Sequence, residues 1–285
     1  MKKFILKITS FIPLIILVFY LDPFYLIITE SYKNDIAGKE IYYSIKKSTE
    51  LSDAEILLLG DSVARQLLNN EENDLLINSL ACNQGISLVG QFILLEKYLK
   101  KGNKIDKLII LYHPISFKNN LDQIYTFHYF MKPFYIKENY KYFSPTVFNQ
   151  ISKIPFYYLN REPFILTSNW SPKYSSPIDE FGNTKKGSFW LSKVSIEYLK
   201  KIQQLAEVND FKIQLVAPPI SAAKQELIKA MNTDLIKGNE LEGMFKDYFE
   251  NIIYCDDSFF KDDIHLNLKG LKRFNKNLNL LNIND

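Results

Sequence analysis

Runs of hydrophobic residues alternate with amphipathic stretches along most of the chain. Residues 56–59 are four aliphatic residues in a row, which predicts a strand buried on both faces, because a half-exposed strand would alternate polar and apolar positions. Residues 91–101 place apolar side chains on one side and charges on the other, which predicts a helix that ends at Gly102.

The order of these two patterns indicates the fold class. Further strands are predicted at residues 75–82, 107–112, 211–216 and 252–255. Further helices are predicted at residues 192–209, 222–236 and 240–249. Because strands alternate with helices, we expect an α/β domain with a parallel sheet that is covered by helices on both sides.

The N-terminal residues carry a different pattern. Residues 4–21 are apolar apart from Lys7 and a few uncharged polar side chains, and a helix of that length, about 27 Å, can just cross a membrane. Lysines before the stretch and acidic residues after it predict a single-pass anchor at residues 1–30, with residues 31–285 outside the cytoplasm. A cleaved signal peptide is one alternative, although residues 21–25 lack a cleavage pattern, and a buried N-terminal helix is another.

The composition excludes some function classes. The chain has 285 residues, of which 47% are hydrophobic, so it can bury a substantial core. Its 35 basic and 32 acidic residues nearly cancel, so no nucleic-acid partner is predicted. Cys82 and Cys255 each follow an apolar stretch and are interpreted as packing residues rather than as a disulfide bond.

Aromatic residues are concentrated between residues 117 and 190. Their density, together with several prolines, does not fit a helix that crosses a sheet, so the segment is interpreted as an insertion of short helices above the strand ends. Three roles are possible for this segment: a platform for sugar rings, a surface at a membrane interface, or a small additional core that includes His128.

Two short motifs carry candidate chemistry. The Gly-Asp-Ser sequence at residues 60–62 follows the first predicted strand; glycine permits a tight turn, and Asp and Ser are residue types that cap helices. The Ser62 hydroxyl should therefore lie at the edge of a parallel sheet where ligands bind. Asp262 precedes His265 by three residues and can reach its ring, which completes the pattern of nucleophile, base and orienting acid.

These motifs resemble those of the SGNH (GDSL-type) hydrolase superfamily. Its Gly-Asp-Ser motif matches residues 60–62, its Asp-x-x-His motif matches Asp262 and His265, and the resemblance covers roughly residues 55–276. It implies a three-layer α/β/α sandwich with a parallel, flavodoxin-like sheet. It also implies that Ser62 is the nucleophile, His265 the base and Asp262 its partner. The alternatives are a helix cap for Ser62 and a locally hydrogen-bonded histidine.

The resemblance leaves two candidates for the groups that stabilise an oxyanion. Gly85 lies in a loop that resembles the second conserved block of the superfamily, where a glycine N–H contributes; a plain strand-to-helix loop is the alternative. After the strand predicted at residues 107–112, the superfamily places an Asn, whereas this chain has His113. The ring N–H of His113 is the second candidate. The alternatives are that Asn119 or Asn120 folds back as the donor, or that His113 is simply a partly buried histidine at a strand end.

The resemblance also implies a function. The chain is similar to membrane-anchored serine esterases or O-acyltransferases of cell-envelope polysaccharides, whose substrates are acylated or lipid-linked glycans and whose partners are envelope acylation proteins. An inactive scaffold that binds glycan or assembly partners is the alternative. The histidines and cysteines lack metal-ligand spacing, and no glycine-rich phosphate motif is present, so neither a metal nor a cofactor is predicted.

Overall fold

Four parallel strands form the central sheet of the computed structural model. They are β1 (Ile56–Gly60), β2 (Ile77–Ser79), β3 (Lys107–Leu111) and β4 (Lys212–Val216). β1 lies between β2 and β3, and β4 pairs with β3. The structure describes residues 2–20, 38–69, 76–161, 190–231, 236–238, 240–245 and 247–274.

Helices make up most of the other described elements. The α-helices are α1 (Lys2–Tyr20), α2 (Lys39–Lys47), α3 (Ser62–Leu67), α4 (Ser87–Lys100), α5 (Lys132–Phe134), α6 (Pro145–Ile151), α7 (Lys193–Asn209), α8 (Gln225–Lys229), α9 (Glu242–Phe245) and α10 (Leu268–Phe274). Short 3-10 helices lie at Gln84–Ile86, Pro114–Lys118, Lys137–Tyr142, Tyr157–Arg161, Ala222–Lys224 and Asp257–Phe259, and a π-helix lies at Phe127–Met131. The helices predicted at residues 91–101 and 192–209 correspond to α4 and α7.

Both faces of the sheet are buried. Leu57 and Leu59 of β1 enter one hydrophobic cluster, whereas Ile56 and Leu58 enter another on the opposite face. Side chains of α2, α4 and α7 complete the first cluster, and side chains of α3 and α10 complete the second. The predicted α/β class and the parallel sheet are thereby confirmed, and the arrangement is compatible with a three-layer sandwich.

The strand predicted at residues 252–255 is not part of the central sheet. β5 (Ile220–Ser221) and β6 (Tyr254–Cys255) pair in parallel and form a separate two-stranded sheet. Pro218 and Pro219 separate β4 from β5, and because proline has no N–H to donate, the hydrogen-bonded ladder cannot continue through them. Both cysteines are free, as predicted; Cys82 is buried in the main core, whereas Cys255 is only half-buried.

The aromatic segment contributes to the main core. Its described part, residues 117–161 and 190, contains several short helices, and Phe117, Phe127 and Phe130 are buried in the same cluster as the sheet. His128 packs edge-on against the ring of Tyr129, with the ring centroids 5.3 Å apart. These aromatic rings therefore do not form a core of their own.

The N-terminal helix α1 covers most of the predicted anchor. Among the residues that the structure describes, no helix combines the length and the apolar character that crossing a membrane requires. Residues 21–30 of the predicted anchor lie outside the described residues. The membrane anchor stays a prediction.

Candidate active site

Gly60 allows three elements to meet at the end of β1. A Cβ atom at this position would lie 2.5 Å from the carbonyl oxygen of Leu111 at the end of β3 and 2.3 Å from the Cβ of Ala64 in α3. Carbon atoms do not approach other atoms so closely without displacing them. Glycine is therefore required for β3 and α3 to pack against the end of β1.

Ser62 begins α3 at the carboxyl edge of the sheet, directly after this turn. Asp61 caps the helix, because its Oδ1 atom accepts hydrogen bonds from the N–H groups of Val63 at 3.0 Å and Ala64 at 3.4 Å. α3 leads to β2 on one side of β1, whereas α4 leads to β3 on the other side. Ser62 thus lies beside the crevice between β1 and β3, where the direction of winding changes and where such sheets bind ligands.

Hydrogen-bond distances connect the three residues predicted as a catalytic set in series, with His265 in the middle. Ser62 Oγ is 2.8 Å from His265 Nε2, although the two residues are 203 positions apart. His265 Nδ1 is 3.0 Å from Oδ2 and 3.1 Å from Oδ1 of Asp262. The order Ser62, His265, Asp262 matches the geometry of a nucleophile, its base and the acid that orients the base.

A tight turn, and not a helix, positions Asp262 beneath the imidazole. Oδ1 of Asp262 accepts hydrogen bonds from the backbone N–H groups of Ile264 at 2.9 Å and His265 at 2.7 Å. The turn is tied to α3 because Gln66 Oε1 accepts a hydrogen bond from the N–H of Leu266 at 3.2 Å. The sequence pattern showed the pairing of Asp262 with His265 but did not point to Gln66.

The charge state of Asp262 suits this role. Burial raises the pKa of the Asp262 carboxyl, but hydrogen bonds from the backbone N–H groups of His265 and Ile264, together with the His265 ring, hold that pKa below its ordinary value. An ionised carboxylate accepts the Nδ1–H of His265 and leaves Nε2 as the acceptor for the Ser62 hydroxyl. The His265 side chain is 30% exposed, so a substrate can reach it.

Asp263, the neighbour of Asp262, has a different partner. Its Oδ2 atom is 2.9 Å from Nζ of Lys224, which follows β5. The imidazole of His265 is hydrogen-bonded to Asp262 instead, in agreement with the choice of Asp262 on sequence spacing. Within the described part of the chain, no group of three or more His, Cys, Asp or Glu side chains could hold a metal ion.

Gly85 is brought to the same edge of the sheet, but its N–H group already has an acceptor. It donates to Asn83 Oδ1 at 2.8 Å, and this bond begins the 3-10 helix Gln84–Ile86. The glycine is required for packing, because a Cβ atom here would lie 2.8 Å from the side chain of Tyr129. The geometry of Gly85 thus corresponds to the alternative of a strand-to-helix loop.

His113 lies at the end of β3 and is almost completely buried, with 1% of its surface exposed. Its Nδ1 atom accepts a hydrogen bond from the N–H of Ile115 at 3.2 Å. Its Nε2 atom is buried and has no hydrogen-bond partner among the described residues. The pKa of His113 is lowered to about 4, chiefly because the ring is buried; the negative charge of Asp61 opposes this shift, and His265 and Lys224 add to it.

Asp61 joins the ends of β1 and β3. Its Oδ2 atom accepts hydrogen bonds from the backbone N–H of His113 at 2.8 Å and from the hydroxyl of Ser116 at 2.7 Å. Oδ1 caps α3, so both carboxylate oxygens are used. The sequence indicated the cap, but the contact with the end of β3 depends on the neighbouring strand and was not predicted.

Because His113 is buried in its neutral form, we expect the folded chain to lose stability as the pH falls. Its pKa is about 4 in the folded chain but 6.5 when exposed, so between these values the unfolded chain binds more protons. The free energy of unfolding should therefore fall by ~3 kcal/mol between pH 6.5 and pH 4, with a further loss as Asp262 protonates. Urea unfolding at several pH values measures this slope. His113→Gln should flatten it, and an unchanged slope in that variant would contradict the prediction.

Comparison with known proteins gave no match: no family model, no curated protein and no solved structure corresponds to this chain.

Proposed function

We propose that this protein is a serine hydrolase or acyltransferase of the SGNH type that acts on ester bonds. The observation that carries the proposal is the chain of contacts from Ser62 Oγ through the two ring nitrogens of His265 to the carboxylate of Asp262. Structural serines and histidines rarely form such a chain at the carboxyl edge of a parallel sheet. The strand order and the doubly covered sheet agree with a flavodoxin-like sandwich.

The geometry supports a two-step reaction. Ser62 Oγ attacks the carbonyl carbon of an ester while its proton passes to His265 Nε2, and the carbonyl oxygen becomes an oxyanion. The bond from the carbon to the leaving oxygen then breaks, and that oxygen takes the proton from Nε2. Water or a sugar hydroxyl attacks the acyl group on Ser62 by the same route, with His265 again accepting and returning the proton.

An acylated cell-envelope glycan is the proposed substrate. Two half-buried aromatic residues pack on the loop that carries Gln84 and Gly85: Tyr125 OH accepts a hydrogen bond from Gln84 Nε2 at 3.0 Å, and the Tyr125 and Tyr129 rings are 5.8 Å apart. Aromatic rings with a polar group can stack on sugars and bond their hydroxyls. With the anchor predicted at residues 1–30, the site would face a lipid-linked or membrane-proximal glycan outside the cytoplasm, among envelope acylation proteins.

A second candidate function is a non-catalytic scaffold that binds glycan or assembly partners. The observation in its favour is the sequence at the end of β3, where His113 stands in place of the Asn of the superfamily. Loss of one oxyanion donor lowers the rate of such enzymes by about 10²–10³. If nothing replaces that donor, the remaining residues would hold ligands without fast turnover.

Labelling with a fluorophosphonate separates the two functions. In an enzyme, Ser62 Oγ forms a bond to phosphorus, fluoride leaves, and His265 takes the proton, so the full-length protein should be labelled on Ser62. His265→Ala should slow labelling by about 10²-fold or more, because the serine loses its base. Mass spectrometry of the peptide that contains Ser62 gives the readout. A Ser62 that stays unlabelled in the wild-type protein would rule out the enzyme and favour the scaffold.

A further inference from the structure

One ring nitrogen of His113 has a hydrogen-bond partner, and the other has none among the described residues. Ile115 N–H donates to Nδ1, so Nδ1 carries no proton in the neutral ring and the proton is on Nε2. That Nε2–H group is buried and has no acceptor among the described residues. Folded proteins rarely leave a buried donor without an acceptor, so this one needs an explanation.

The protonation state of His113 allows its ring to donate a hydrogen bond without transferring the proton. With a pKa of about 4 the ring is neutral near pH 7, because it is buried and because His265 and Lys224 oppose a further positive charge. A neutral ring donates a hydrogen bond and keeps its proton. It also does not repel His265, which becomes positively charged when it accepts the proton of Ser62.

The backbone directs His113 and Ser62 to the same crevice. They follow β3 and β1, the two strands that flank the point where the direction of winding changes. Asp61 connects them, since it directly precedes Ser62 in the chain and its Oδ2 accepts a hydrogen bond from the backbone N–H of His113 at 2.8 Å.

We infer that the Nε2–H of His113 donates a hydrogen bond to the oxyanion formed at Ser62. This inference rests on the proposed function. His113 would thus take the role that an Asn side chain has in the superfamily that the sequence resembles, while Asp61 is a positioning residue for it. No covalent bond changes at His113, and its donor acts in the step where the carbonyl oxygen gains charge.

Substitution of His113 separates a catalytic donor from a structural residue. With a small aryl acetate and the full-length protein, His113→Ala should lower kcat by about 10²–10³ and change KM by less than about threefold, because the bond forms only with the oxyanion. His113→Gln should recover at least about tenfold of that loss, since its Nε2 lies as many bonds from Cα as the imidazole Nε2. His128→Gln, at a histidine outside the site, should leave kcat nearly unchanged.

A measurement on the wild-type protein covers the case in which the variants do not fold. Phenylboronic acid forms a tetrahedral adduct on an activated serine, and its oxyanion should shift the Nε2–H proton resonance of His113 downfield in NMR spectra. A Ser62 adduct that leaves this resonance in place, or an Ala variant with wild-type kcat, would overturn the inference while the proposed function stands. A wild-type protein with neither adduct nor turnover would overturn both.

Discussion

Replacing Ser62 by alanine should lower kcat/KM for a small aryl acetate by about 10⁴-fold or more. The Ser62 hydroxyl lies 2.8 Å from His265 Nε2, the base that would accept its proton. Without it, no acyl-enzyme can form, and the remaining donors stabilise only the slow direct attack of water. Initial rates on the purified full-length chain in detergent measure the effect.

The fold of this variant should be intact. Asp61, and not Ser62, caps α3, so the urea midpoint should change little. Ser152→Ala is the matched control, because Ser152 is an exposed serine whose hydroxyl donates a hydrogen bond to the carbonyl oxygen of Asn149 in the preceding turn. It should retain wild-type turnover. If the Ser62 variant keeps activity within about tenfold of the wild type, Ser62 is not the nucleophile.

Replacing Asp262 by asparagine should lower kcat by about 10²–10⁴, through the tautomer of His265. Oδ1 of Asp262 faces two backbone N–H donors, from Ile264 and His265, so the amide oxygen of asparagine would occupy that place. Its NH₂ group would then take the position of Oδ2 and face His265 Nδ1. Nδ1 would have to act as an acceptor, the proton would move to Nε2, and the ring could no longer accept the proton of Ser62.

The neighbouring residue provides a close control for this prediction. Asp263→Asn removes the same charge at the adjacent position but acts on the ion pair with Lys224, and exposed pairs of this kind contribute little. Its kcat should stay within about threefold of the wild type. Equal losses in the two variants would indicate that the negative charge of the region, and not the contact with His265, is what matters.

The local features of the site could be predicted from the sequence. The aliphatic run before Gly60 specifies a buried strand, and the glycine and the cap specify the turn that presents Ser62. The pairing of Asp262 with His265 is also local, because three residues of backbone limit where the carboxylate can go. The alternation of strands and helices indicated a parallel sheet, because parallel neighbours need a crossover connection.

The contacts between distant segments were decided only by the tertiary structure. Hydrophobic periodicity indicates which side chains are buried, but it does not indicate which buried elements become neighbours. The pairing of β6 with β5, the use of the Gly85 N–H by Asn83, and the contact of Asp61 with the end of β3 therefore could not be predicted. The approach of His265 to Ser62 across 203 positions was expected from the residue types of a catalytic set and from the resemblance, but the contact that ties the Asp262 turn to α3 through Gln66 was not.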